Sequence, residues 1–143
     1  MNRLLIIIIL FFLSGCDFFE RHDSHFNDYA ELTNSQSWKG GWVPKLIPKD
    51  AINIQESHDI DTNSVILAFD FSGNFKDQLD KICDSKTGYA DIQFANINAK
   101  WWPNSLTGSS FASSHEYHYY FCPYVEGYFA IPFGTEKVYY WRS

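Results

Sequence analysis

Two short polar segments of the chain carry the residue types that metal binding or acid–base catalysis requires. Imidazole and carboxylate groups together hold zinc and similar ions, and a carboxylate beside an imidazole can orient it as a general base. If the fold brings the two segments together, they predict a metal-dependent or hydrolytic site. The residues are His58, Asp59 and Asp61 in the first segment and His115, Glu116 and His118 in the second.

The spacing in the first segment matches no established metal motif. The chain has no HExxH sequence, and the segment lacks the glycine and the terminal glutamate of a calcium loop. On a strand, Asp59 and Asp61 would share a face that excludes His58. The simpler interpretation is a β-hairpin turn in which Asp61 and Asn63 bond to the backbone and Asn63 adopts a positive φ. We therefore expect no metal and no cofactor.

The second segment has the spacing of an acid–base pair, because Glu116 and His118 would share one face of a strand. A nucleophile would have to come from the serines of the preceding loop, and none of these lies in a GxSxG sequence. A polar strand edge that faces solvent explains the same residues. The segment therefore predicts such an edge in preference to a catalytic site.

Aromatic residues make up 19% of the chain and offer a candidate binding surface. Exposed Trp and Tyr side chains are frequent anchors of protein contacts, and a serine- and glycine-rich loop at residues 103–114 adjoins two tryptophans. The alternative is that one or both tryptophans seal the core, since adjacent residues of a strand face opposite ways. The predicted surface consists of Trp101, Trp102, Tyr117, Tyr119 and Tyr120.

The elements that would position these residues form a small α+β fold built on an antiparallel sheet. Residues 52–60 alternate in part between apolar and polar, and residues 65–71 place Val65, Leu67, Phe69 and Phe71 on one face. Turn-forming residues join the two segments, which indicates a hairpin. A short helix is predicted over residues 24–32, with Ser24 as its N-cap. Three further strands, predicted at residues 115–122, 127–132 and 136–141, form a C-terminal meander.

One amphipathic helix is predicted between the hairpin and the meander. Phe75, Leu79 and Ile82 recur at the spacing of a single helix face, opposite charged residues. Asn74, followed three residues later by Asp77, has the pattern of an N-terminal cap. The helix is expected to pack on one face of the sheet.

The N-terminus resembles an export signal followed by a lipobox. Arg3 precedes an apolar run at residues 4–13, and Leu13-Ser14-Gly15-Cys16 resembles the sequence at which bacterial lipoproteins are cleaved and acylated. Acyl chains on Cys16 would hold the mature protein on a membrane. The resemblance implies a signal peptide at residues 1–15, a lipidated tether at residues 16–23 and a single domain at residues 24–143.

The resemblance also implies a cellular location. In enterobacterial lipoproteins, an aspartate directly after the acylated cysteine tends to keep the protein in the inner membrane, facing the periplasm, and Asp17 stands at that position. The outer membrane is the alternative. An uncleaved anchor is disfavoured, because ten helical residues reach only about half of a bilayer core.

With Cys16 acylated, Cys83 and Cys122 remain as an even pair in an oxidising compartment. A disulfide is the expected state of such a pair, and two free buried thiols are the alternative. A catalytic thiol is disfavoured, because neither cysteine belongs to a CxxC pair or adjoins a basic residue that would stabilise a thiolate.

The function expected from these features is binding without catalysis. The chain has 17 acidic and 11 basic residues and a formal net charge of −6, which excludes nucleic acid as an ordinary partner. The segment 58–63, His-Asp-Ile-Asp-Thr-Asn, resembles segments of small bacterial proteins, lipoproteins among them, but implies no activity. We expect a periplasmic module that binds an envelope protein, similar to immunity proteins and inhibitors. The alternatives are a cell-wall hydrolase or metal-dependent enzyme, and a scaffold that binds peptidoglycan glycans.

Overall fold

The computed structural model describes residues 21–86, 92–97, 99–108 and 116–143. Cys16, Asp17 and His115 lie outside these ranges, so acylation, membrane sorting and the role of His115 stay predictions. None of the helices within the described ranges is long and apolar enough to cross a membrane.

Within the described residues, seven strands form one sheet in which every neighbouring pair is antiparallel. The spatial order is β1-β2-β3-β7-β6-β5-β4. The predicted hairpin is β2–β3, the predicted meander is β5–β7, and the pairing of β3 with β7 joins them. The strands are β1 (Arg21–Asp28), β2 (Ile52–Asp59), β3 (Ser64–Asp70), β4 (Asp84–Lys86), β5 (Tyr117–Cys122), β6 (Gly127–Pro132) and β7 (Lys137–Arg142).

In the described ranges, three α-helices and short 3-10 helices accompany the sheet, which confirms the α+β class. The α-helices are α1 (Tyr29–Asn34), α2 (Gln36–Lys39) and α3 (Phe75–Ile82), and the 3-10 helices are Asn104–Leu106 and Pro123–Val125. In α3, Phe75 and Leu79 are buried as predicted, whereas Ile82 is largely exposed. Asn74 occupies the N-cap position, but its side chain makes no capping hydrogen bond, so the predicted cap is not formed.

The helix predicted from Ser24 is wrong in its first half. Ser24 belongs to β1, where it stands opposite Glu56 of β2. The helix begins only at Tyr29, because the carboxylate of Asp28 accepts a hydrogen bond from the backbone N–H of Glu31 and caps the first turn. Residues 21–28 pair with β2 as an edge strand of the described sheet, and they include residues 21–23, which the sequence placed in the tether.

Each face of the sheet carries a buried core. α1, the loop at residues 42–51 and α3 contribute to a core on the first face, while residues 92–97 and 99–108 contribute to a core on the second. Successive side chains of β3 pack into opposite cores. Val65, Leu67 and Phe69 lie in the first core, and Ile66 lies in the second. Fully covered strands of this kind read as continuous apolar runs.

A disulfide links the end of α3 to β5, which confirms the predicted pairing. Cys83 follows the last turn of α3, and Cys122 is the last residue of β5. The two Cα atoms are 4.5 Å apart, and Cys122 is fully buried in the first core. The bridge therefore holds the helix against the half of the sheet formed by the meander.

We expect Gly127→Ala to lower the free energy of unfolding by about 1–3 kcal/mol. A Cβ atom at Gly127 would overlap the ring of Tyr140, which is buried and donates a hydrogen bond from its hydroxyl to the carbonyl of Val125 at 3.0 Å. Urea unfolding measures the loss. Gly108→Ala is the control, because its Cβ would meet its nearest neighbour, in Phe94, at an ordinary 3.7 Å. Equal stability of the two variants would contradict this account.

Candidate functional site

The turn between β2 and β3 forms a fixed, projecting tip, which we call the hairpin tip (residues 59–63). The backbone N–H of Thr62 donates to Asp59 Oδ1 at 3.0 Å, and Asn63 adopts a left-handed conformation with φ 55°. The predicted turn and the positive φ of Asn63 are therefore confirmed, but the acid that closes the turn is Asp59 and not Asp61. Between these acids, Ile60 is 53% exposed.

The charge on the tip is maintained by the turn itself. The hydrogen bond from Thr62 stabilises the ionised form of Asp59 and holds the pKa of that carboxyl below its usual value. Asp61 is exposed to solvent at the apex. The tip thus presents one isoleucine between two acids.

Directly below the tip, β2 carries a completely buried acid, Glu56. His58 Nδ1 lies 2.6 Å from Glu56 Oε1, and the hydroxyl of Ser37, on α2, donates to Oε2 at 2.9 Å. Both carboxylate oxygens are therefore hydrogen-bonded. Removal of the carboxylate from water nevertheless raises its pKa, against the opposing effects of His58 and Ser37.

The imidazole of His58 is held on three sides. The ring of Trp42 stacks on it at a centroid distance of 4.2 Å, the ring of His22 stacks at 5.1 Å, and Glu56 occupies the Nδ1 edge. Nε2 has no hydrogen-bond partner within the described residues. It is also absent from the buried polar atoms that lack a partner there, so it is not closed to solvent. Nε2 is therefore the polar atom that this ring can offer to a ligand.

Nε2 belongs to a ring that lines a cleft of about 240 Å³, which we call the histidine cleft. An imidazole oriented at Nδ1 by an acid can accept a proton or a hydrogen bond at Nε2. In the described part of the chain, no serine hydroxyl bonds to His58, because Ser37 bonds to Glu56 instead. The cleft is lined by His22, Ser24, Gln36, Ser37, Trp42 and His58.

The two polar segments predicted from the sequence do not meet. His58 lies on β2 and His118 on β5, and three strands separate them, which at about 4.8 Å a step places them roughly 19 Å apart. Asp59 and Asp61 are engaged in the hairpin tip. Among the described residues, no group of three or more histidine, cysteine, aspartate or glutamate residues is placed to hold a metal ion.

The predicted pair on β5 is not formed either. Glu116 precedes the strand, and its carbonyl accepts a hydrogen bond from the backbone N–H of Phe133 at 2.9 Å. The ring of His118 packs edge-on against Phe133 at 4.5 Å, and partial burial lowers the pKa of its imidazole. No hydrogen bond joins Glu116 to His118 in the described structure. These residues form a polar edge, as the alternative interpretation proposed.

The predicted aromatic surface is mostly core. Trp102, Tyr119 and Tyr120 are buried, so the prediction is wrong for these three residues. Trp102 and Tyr119 belong to the core on the second face, and Tyr120 belongs to the core on the first face. Trp101 and Tyr117 are half-buried against the second core. The two cores on opposite faces of the sheet therefore account for the burial of Trp102, Tyr119 and Tyr120.

Glu56, Ser37, His22 and Trp42 are the site residues that the sequence analysis did not identify. A signal existed for Glu56, because it stands two residues before His58 on a predicted strand and therefore shares its face. Ser37, His22 and Trp42 gave no such signal. They reach His58 and Glu56 only through the packing of α2, β1 and the following loop on β2.

One part of the chain matches a known family, and that part includes every residue that lines the histidine cleft. Residues 20–70 match the family model of the YbbD head domain, which is less than half of the chain. This match relates the segment to a bacterial, envelope-related family. No curated protein matches the chain, and no solved structure does. The segment comprises β1 to β3 with α1 and α2, and it includes the hairpin tip.

Proposed function

We propose that this protein is a lipid-anchored envelope protein that binds a partner protein through the hairpin tip and catalyses no reaction of its own. The observation that carries the proposal is the fixed projection of Ile60 between Asp59 and Asp61. An apolar side chain between two acids fits a partner with an apolar pocket beside basic residues. The acidic balance of the chain, −6, favours the same kind of partner. Immunity proteins and inhibitors act in this way.

The position of the tip relative to the anchor favours a partner at the membrane. Arg21, the first residue of β1, stands opposite Asp59 in the register of β1 and β2, so the tip lies at the end of the sheet where β1 begins. If Cys16 is acylated, the chain between Cys16 and Arg21 spans at most about 17 Å. Acylation would therefore keep the tip close to the bilayer, on the periplasmic side that Asp17 implies.

The tip itself is unsuited to the bilayer. Anionic headgroups repel Asp59 and Asp61, and one isoleucine contributes only about 1.5–3 kcal/mol on burial. We therefore propose a membrane-embedded protein with a basic cleft as the partner.

Photocrosslinking in intact envelopes tests the proposal. A photoreactive amino acid in place of Ile60 is expected to capture one membrane protein. The matched control replaces Ile52, which is similarly exposed, at 48% against 53%, but lies at the opposite end of β2. The proposal fails if neither position captures a protein, if both capture the same set, or if the Ile60 position captures only glycan.

We expect Asp61→Lys to weaken this capture about tenfold, because it places a positive charge against the basic cleft of the partner. The free energy of unfolding should change by no more than about 0.5 kcal/mol, since Asp61 is exposed. Asp84→Lys makes the same change of charge on exposed β4, at the far edge of the sheet, and should leave capture unchanged. An equal loss in both variants would indicate a general charge effect and would contradict recognition by the tip.

A further inference from the structure

A second cleft adjoins the histidine cleft, and Trp42 lines both. This second cleft has a volume of about 310 Å³. It lies at the end of the sheet where β7 ends and β3 begins, since Val65 stands opposite Arg142. It is lined by Gly40, Gly41, Trp42, Asn63, Glu126, Arg142 and Ser143. Because the ring of His58 stacks on one face of Trp42, the indole separates the two clefts.

Arg142 lines the second cleft, and its guanidinium makes no hydrogen bond or ion pair with the described residues. Its Nε is buried and has no hydrogen-bond partner among the described residues, and none of the ion pairs found there involves its side chain. A buried donor without a partner costs about 1–3 kcal/mol. Because Nε itself is closed to solvent, a ligand in the cleft would reach the guanidinium through its two terminal nitrogens, for which no hydrogen bond or ion pair is found in the described part of the chain.

The backbone around the second cleft is also unusual. Three of its lining residues adopt left-handed conformations: Gly41 with φ 79°, Asn63 with φ 55° and Glu126 with φ 49°. Asn63 tolerates this conformation as a turn residue, whereas for Glu126 it is energetically unfavourable, and such strain concentrates at functional sites. These residues come from three separate turns, so the turns converge on one space.

The charges that line the two clefts select the chemistry of a ligand. Glu126 opposes an anion and Arg142 opposes a cation, whereas the remaining open groups are amides, hydroxyls and imidazoles. A ligand that both donates and accepts hydrogen bonds without carrying charge satisfies all of them, and hydroxyl groups do both. Trp42 adds an apolar ring between the polar groups, against which the C–H face of a sugar can pack.

We propose that the two clefts form one binding site for an uncharged oligosaccharide that lies across Trp42. One sugar occupies the second cleft, where Arg142 and Asn63 donate to its oxygens. The next sugar occupies the histidine cleft, where a hydroxyl donates to His58 Nε2. Glu56 fixes this acceptor through Nδ1, so that the lone pair of Nε2 is held ready for the ligand. This site adjoins the hairpin tip, which contributes Asn63 to it, but it takes a ligand of a different chemical class from the protein partner proposed above.

Titration with a defined panel tests the site. The acyl-free domain is titrated by NMR with chitotetraose, cellotetraose and maltotetraose, each up to about 10 mM. At least one should shift the indole N–H signal of Trp42 and the ring signals of His58. Absence of saturable shifts with all three overturns the proposal, as does binding that leaves Trp42 and His58 unaffected.

A matched pair of asparagine variants separates binding from folding. Asn63→Gly removes the amide but tolerates the positive φ, and it should weaken binding about fivefold. Asn53→Gly is the control, because Asn53 also has a positive φ, of 51°, but lies at the bulge near the other end of β2. Equal affinity of the two variants would exclude Asn63 from the site.

Arg142→Met tests the unpartnered guanidinium. It should weaken binding at least tenfold, because a charged hydrogen bond is lost. Its midpoint of urea unfolding should not fall, since no described hydrogen bond or ion pair of the side chain is removed. Unchanged affinity, or a loss of affinity that parallels a loss of stability, would contradict the proposal.

Discussion

The variant that combines Cys83→Ser with Cys122→Ala is expected to lose about 4 kcal/mol of the free energy of unfolding. The bridge joins residues separated by 39 positions, and its removal frees that loop in the unfolded chain. Alanine replaces Cys122 because this residue is fully buried, and a serine hydroxyl there would add a separate cost. Urea unfolding of the variant and of the oxidised protein measures the difference.

The reduced wild-type protein is the control for this prediction. It retains both sulfur atoms in place, so its loss reports the covalent link without the change in side-chain volume. Both samples should lose the contact between the end of α3 and β5 early in unfolding, which the exchange of the amide protons of α3 reports. A loss below about 1 kcal/mol in the reduced protein would show that the bridge contributes little to the stability of this fold.

The strands that the sequence predicted correctly carry their own signal. β2 alternates in part between apolar and polar residues, β3 is a short β-branched and aromatic-rich apolar run, and Asp61-Thr62-Asn63 joins them. Turn-forming residues separate the strands of the meander. The disulfide followed from an even pair of cysteines once Cys16 was assigned to lipid. The strands were therefore predictable from local residue patterns, and the disulfide was predictable from the number of cysteines.

The elements that were missed depend on partners distant in the chain. Residues 24–28 have a helical pattern, but they pair with β2, and tertiary context outweighs local propensity. The short strand β4 exists because the disulfide places residues 84–86 beside β5. The burial of Trp102 and Tyr119 depends on the irregular segment that covers the second face, and no sequence pattern predicted that cover.

The residues of the candidate site also fall into two groups: those whose proximity the sequence predicts and those that only the fold brings together. Glu56 and His58 stand two residues apart on a predicted strand, so their shared face was predictable. Ser37 and Trp42 complete the site from separate elements, and only the fold brings them to His58. Arg142 reaches the second cleft because β7 pairs with β3, which joins the hairpin to the meander.

His58→Ala is expected to lower the free energy of unfolding by about 3 kcal/mol at neutral pH, because it leaves one oxygen of the buried Glu56 carboxylate without its hydrogen-bond partner. The loss should depend on pH. Burial raises the pKa of Glu56 above its unfolded value, so its contribution to stability is fully present below the unfolded pKa and is lost as the pH rises through the folded pKa. Removing His58 removes a group that lowers this pKa, so the loss of stability should grow from about pH 4 to pH 8.

The double variant Glu56→Gln, His58→Ala distinguishes a buried charge from a simple packing defect. If the carboxylate is the cause, the added Glu56→Gln change restores stability at about pH 8 and has little effect at about pH 4, where Glu56 is already protonated. A packing defect left by the missing ring would persist equally in both variants at every pH. Urea unfolding of the two variants at both pH values decides between these causes. Because the same acid fixes Nε2 of His58 for a ligand, a rescue confined to high pH would also indicate that Glu56 is present as the carboxylate that holds the Nδ1 edge of the ring.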